Sequence, residues 1–154
     1  MKKYLIPIIM ITLIPWQVIS ALASCNEVDF KLYNISDSKT IVMDIRGTEN
    51  TSFFDTVTAG PGQCAVAFPD NVTAWWLSST TYRWTITLYS MEDGDSSYET
   101  MAEIKLVGQN IYLLWATWLD FYVAETTLYS GDVGIDANAT FLSATEANFI
   151  AYAE

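Results

Sequence analysis

The sequence predicts an all-β protein: a single-domain antiparallel β-sandwich of about 8–10 short strands. Three observations carry this expectation. Apolar and polar residues alternate with period two in several segments, as half-buried strands require. Turn-forming clusters separate those segments about every 8–12 residues. The segments are rich in Thr, Val, Ile, Tyr and Trp, which suit a pleated surface. The 154 residues are 51% hydrophobic and only 16% charged, so apolar surface is sufficient for one core.

Taken in order, Val28, Phe30 and Leu32 alternate with Asp29 and Lys31, and Ser36-Asp37-Ser38 follows as a turn. Ile41, Met43 and Ile45 alternate with Val42, Asp44 and Arg46. Gly60-Pro61-Gly62 precedes a strand at 64–68, and Pro69-Asp70-Asn71 closes it. Tyr82, Trp84, Ile86 and Leu88 alternate with Arg83, Thr85 and Thr87, up to the turn Asp93-Gly94-Asp95. Ala102, Ile104 and Leu106 alternate with Glu103 and Lys105, and Gly108-Gln109-Asn110 reads as a turn dividing 100–107 from 111–118. Residues 111–124 are almost continuously apolar. Ile111, Leu114, Trp115 and Trp118 also fit a buried helix, but aromatic and β-branched content favours two strands meeting near Leu119-Asp120. At the C-terminus, Ser143-Ala144-Thr145-Glu146 fits a capping box, yet Phe149-Ile150-Ala151-Tyr152 reads better as a last strand.

Residues 1–24 read as an export signal. Lys2 and Lys3 precede an apolar run interrupted by Pro7 and Pro15, and Ala21 and Ala23 supply a cleavage site after Ala23 or Ser24. The domain then spans 25–154 and is expected to be secreted or extracytoplasmic, with no transmembrane segment in the mature chain. Loss of Lys2 and Lys3 leaves 5 cations against 18 anions, a net charge of −13. Such a chain repels nucleic acid and anionic membranes. Neutral glycans, neutral lipid surfaces and proteins remain as partners. Cys25 and Cys64 can form a disulfide in an oxidising compartment. Sequons at Asn34, Asn50, Asn71 and Asn138 mark exposed positions if the host glycosylates.

With no His in the chain, His-based triads are excluded, and no G-x-S-x-G, phosphate loop or cysteine metal pair occurs. The acidic loop around Asp93 and Asp95 offers oxygen ligands of the kind calcium uses. It lacks the EF-hand glycine and glutamate and reads better as a solvated hairpin turn, as does the loop holding Asp132, Asp136 and Asn138. No cofactor is expected. Trp75, Trp76, Trp115 and Trp118 are the candidate binding residues, because exposed indoles contact sugars and lipid interfaces. Rings that instead fill the core are the competing reading.

Two resemblances add expectations. Leu22-Ala23-Ser24-Cys25 resembles a bacterial lipobox, which implies cleavage before Cys25 and lipid on its sulfur. Residues 30–34 and 38–43, in a strand-turn-strand pattern, resemble the opening of aegerolysins. That resemblance implies a small acidic β-sandwich that binds membrane lipids, and it carries over no functional residue. The combined expectation is an exported, non-catalytic binding module for a glycan or protein at the cell surface. A neutral-lipid-binding or membrane-active sandwich and a small acid-dependent hydrolase are the alternatives.

Overall fold

The computed structural model describes residues 23–75, 77–92, 97–113, 116–139 and 146–154. Two five-stranded sheets pack face to face. The first holds β1 (Ala23–Asn34), β4 (Cys64–Val66), β5 (Asp70–Trp75), β9 (Val133–Ala139) and β10 (Glu146–Ala153). Its order is β4-β1-β10-β9, with β5 beside β4 on the same edge of β1. The second holds β2 (Lys39–Glu49), β3 (Phe54–Ala59), β6 (Ser78–Glu92), β7 (Glu99–Leu113) and β8 (Ala116–Leu128), in the order β3-β2-β6-β7-β8. Among the described residues every pairing is antiparallel except β1 with β10. The all-β sandwich and the C-terminal strand match the sequence expectation.

Period two becomes burial. On β1, Val28, Phe30 and Leu32 are fully buried while Glu27 and Tyr33 face out. On β6, Tyr82, Trp84, Ile86 and Leu88 point inward. Trp84 occupies the centre of the core, edge-on to Phe30 at 6.1 Å and to Phe121 at 5.9 Å between ring centroids. Side chains of this size each contribute roughly 1.5–3 kcal/mol on burial. The alternation breaks where the register shifts. Met101 is an extra residue on β7 between the Leu88–Ala102 and Tyr89–Thr100 pairs, so Met101 and Ala102 are both buried. On the outer face of the second sheet, Lys105 Nζ donates to Glu125 Oε2 at 2.7 Å. That bond and the attraction to Glu125 raise the lysine pKa above its ordinary value, but an exposed pair of this kind adds little stability.

Several local expectations are corrected. Gly108-Gln109-Asn110 is no turn: β7 runs straight through it as a 15-residue strand. Gly108 is needed there because a Cβ would lie 3.0 Å from Cη2 and Cζ3 of Trp84, and Asn110 is buried for its hydrogen bonds. β6 is equally long and starts at Ser78 rather than Tyr82, so these strands are not short. The strands within 111–124 do not meet near Leu119-Asp120. Leu113 pairs with Ala116, and Leu119 is a buried mid-strand residue opposite Asn110. The Cys25–Cys64 disulfide is not formed. Cys25 pairs with Thr73 and Cys64 with Tyr33, eight positions apart along β1. That is about 26 Å at strand rise, beyond the roughly 7 Å reach of a disulfide, and Cys64 is a free, exposed thiol.

Candidate functional site

Polar side chains tie the sheets together around β5. Trp84 Nε1 donates to Asp70 Oδ2 at 2.8 Å. The Tyr82 hydroxyl donates to the Thr73 carbonyl at 2.7 Å and accepts from the Thr73 N–H at 2.9 Å. Asn26 Nδ2 donates to Asn110 Oδ1 at 2.7 Å, and Asn110 Nδ2 donates to the Val72 carbonyl at 3.2 Å. Each bond crosses from one sheet to the other, so β5 is fixed relative to β6 and β7.

A cleft of ≈ 480 Å³ opens on this flank, between the β2–β3 loop at 50–53 and β5, with Tyr82 also in its lining. The loop is built to hold its shape. Gly47 permits a tight return, since a Cβ there would meet Thr51 O at 2.7 Å, and Gly47 N–H donates to Phe53 O at 2.7 Å. Asn50 takes the left-handed conformation at φ 57°, which asparagine tolerates, and its Nδ2 donates to Thr81 O. Thr51 Oγ1 accepts from Phe53 N–H and donates to Asp70 Oδ2 at 2.7 Å. The Phe53 ring stacks on Phe30 at 5.7 Å. Asp70 is thus a carboxylate only 8% exposed, with both donors on Oδ2. Among the described residues no donor meets Oδ1, and no cation pairs with Asp70.

A second feature is the end of the sandwich where β1 begins. Ala23 pairs with Trp75, Ser78 with Tyr112 and Leu113 with Ala116, so the start of β1, the β5–β6 connection and the β7–β8 turn share that end. Trp75 is 62% exposed there, Leu77 53% and Leu113 43%. Leu77 is held at φ 58°, and Ser78 Oγ closes the turn on the Trp75 carbonyl at 2.6 Å. The contributing stretches 71–82 and 106–119 contain no charged residue. The opposite end also exposes apolar side chains, Ile35, Leu128 and Tyr129 among them. It differs by carrying the exposed acids Asp37, Glu92, Glu99, Asp132 and Glu154.

Of the residues the sequence singled out, Trp75 is exposed at the uncharged end and Trp118 is half-buried on the outer face of the second sheet. Trp76, Trp115, Asp93 and Asp95 lie outside the described residues, as do residues 1–22 of the leader read at 1–24, whose Ala23 and Ser24 belong to β1. Among the described residues no three His, Cys, Asp or Glu gather as metal ligands, and no helix is long and apolar enough to cross a membrane. The sequon asparagine Asn34 is buried, not exposed; its Nδ2 donates to Lys39 O and Ala59 O. Tyr33 and Tyr152 stack at 5.4 Å on the outer face of the first sheet, which occupies one ring face of each. Sequence reading missed the cleft because Thr51, Asp70 and Tyr82 are distant in the chain. The one signal available was Asp70, an acid beside a strand that must point inward. Comparison with known family models, characterised proteins and solved structures gives no match.

Proposed function

We propose that the protein is an exported, non-catalytic binding module that rests on a neutral lipid surface through the Trp75–Leu77–Leu113 end. The observation that carries this reading is the polarity of the molecule. One end presents exposed apolar side chains on stretches free of charge, and the other presents acids. An indole and two leucines suit the interfacial zone of a bilayer, where an apolar body and a polar edge are both accommodated. The acidic end points away, and a net-negative domain gains nothing from anionic headgroups.

The test is tryptophan fluorescence and co-sedimentation with phosphatidylcholine vesicles, with and without phosphatidylserine. We expect a blue shift and binding to the neutral vesicles, with weaker binding as phosphatidylserine is added. Trp75→Ala should weaken binding about tenfold or more, the equivalent of losing one buried apolar side chain. Absence of binding to neutral vesicles, or binding indifferent to Trp75→Ala and Leu113→Ser together, would reject the reading.

A further inference from the structure

We propose that the cleft between the β2–β3 loop and β5 is a binding site for a neutral saccharide, with Asp70 as its anchoring acceptor. The site is distinct from the apolar end, and its test does not depend on membrane association.

The chemistry of the walls selects the ligand. Asn50, Thr51, Ser52, Asn71 and Thr73 contribute amides and hydroxyls, which both donate and accept. A polyol needs this mixture, because each hydroxyl is donor and acceptor at once. No Lys or Arg lines the cleft, so a phosphate or sulfate would meet the Asp70 carboxylate without a compensating cation. A lipid tail would leave Asp70 Oδ1, a carboxylate oxygen, without a donor. A ligand hydroxyl donating to Asp70 Oδ1 would form a charge-assisted bond, stronger than a neutral one. Asp70 cannot turn away from that role, since Trp84 and Thr51 hold Oδ2 at 2.8 and 2.7 Å. The walls are preorganised: Tyr82 clamps Thr73, Gly47 and Thr51 fold the loop, and Phe53 stacks on Phe30. Less binding energy is then lost to ordering. An aromatic ring adjoins the cleft wall in the chain. Phe68, directly before Pro69, is 80% exposed, and its backbone N–H donates to Asp55 Oδ2 at 2.9 Å. Such a ring offers a face for the C–H side of a pyranose. The volume of ≈ 480 Å³ lies within the roughly 300–1,000 Å³ of small-molecule sites.

The test is titration of the full chain with a panel of uncharged mono- and oligosaccharides, read by calorimetry and backbone amide shifts. We expect at least one saccharide to bind and to move the amides of 50–53 and 70–73. Asp70→Asn should lower its affinity about tenfold or more. Phe68→Ala, at an exposed position, should weaken it several-fold while leaving the thermal midpoint unchanged, and Asn71→Ala should weaken it several-fold. Neutral vesicles with and without a glycosylceramide separate the sources. Vesicle binding that gains from the glycolipid, and loses that gain with Asp70→Asn, assigns a lipid headgroup. Binding of the free saccharide with no such gain assigns a soluble or protein-linked glycan. The proposal is overturned if no saccharide moves these amides, if binding survives Asp70→Asn and Asn71→Ala, or if choline chloride binds there and saccharides do not.

Discussion

The Trp84 indole donates to Asp70 Oδ2 across the interior, joining the centre of the second sheet to the edge strand β5 of the first. The same indole lies over Gly108, so one side chain fixes the core, the cleft floor and the course of β7. Trp84→Phe leaves a buried carboxylate short of a donor and removes ring volume. We expect a loss of about 3 kcal/mol or more. Thr51→Val removes the other donor from a half-buried position and should cost about 1–2 kcal/mol. Urea unfolding with unchanged m-values checks both. A Trp84→Phe loss below that of Thr51→Val would contradict the argument.

Gly108→Ala and Gly134→Ala make the same chemical change on two strands with opposite expectations. At Gly108 the new methyl meets Trp84 ring carbons at 3.0 Å, and the rings around Trp84 leave it nowhere to go. A loss of about 1–3 kcal/mol is expected. At Gly134 the nearest atom is Tyr152 Cβ at 3.6 Å, an ordinary contact, and the change should stay within about 0.5 kcal/mol. Thermal unfolding of the two variants side by side is the measurement.

Leu77 sits at φ 58°, a conformation that costs a side chain with a Cβ about 1 kcal/mol and glycine almost nothing. Leu77→Gly should therefore raise the melting temperature while weakening binding to neutral vesicles several-fold. A variant that loses both stability and binding would show that Leu77 serves packing instead.

Asn34 is 2% exposed, with its Nδ2 committed to Lys39 O and Ala59 O and its Oδ1 accepting from Ser36 N–H. The nitrogen that would carry a glycan is buried and occupied, so modification there and the native fold exclude each other. Folded protein from a glycosylating host should carry no glycan at Asn34, as read by peptide mass spectrometry. Asn34→Ala should cost about 2 kcal/mol or more, from two lost bonds to buried carbonyls.

Cys64 is exposed and free. Native protein should react with a thiol reagent at Cys64 without denaturant, and its monomer mass should be the same before and after reduction. A two-hydrogen difference would mean that β1 and β4 pair in another register.

The strands β1, β2, β6 and β10, their sheet faces and the turns at 36–38 and 60–62 were legible in the sequence, whereas Asp70-Asn71, read as a turn, begins β5, and Asp136 and Asn138, read as a loop, lie in β9. Burial on a pleated surface imposes period two on the residues themselves, as Val28-Asp29-Phe30-Lys31-Leu32 shows. What the chain could not disclose by itself was which apparent turn lies inside a strand. Gly108 and Asn110 carry a turn signature, but their reasons are tertiary: an indole from β6 needs the space, and buried groups on β1 and β5 need the amide. The cleft was hidden for the same reason. Asp70, Thr51 and Trp84 become one site only when edge strand β5 packs across the β2–β3 loop and β6, and such long-range contacts leave no period in the sequence. The cysteines show the converse. Their presence permitted a bond, and the register of β1 set them eight positions apart.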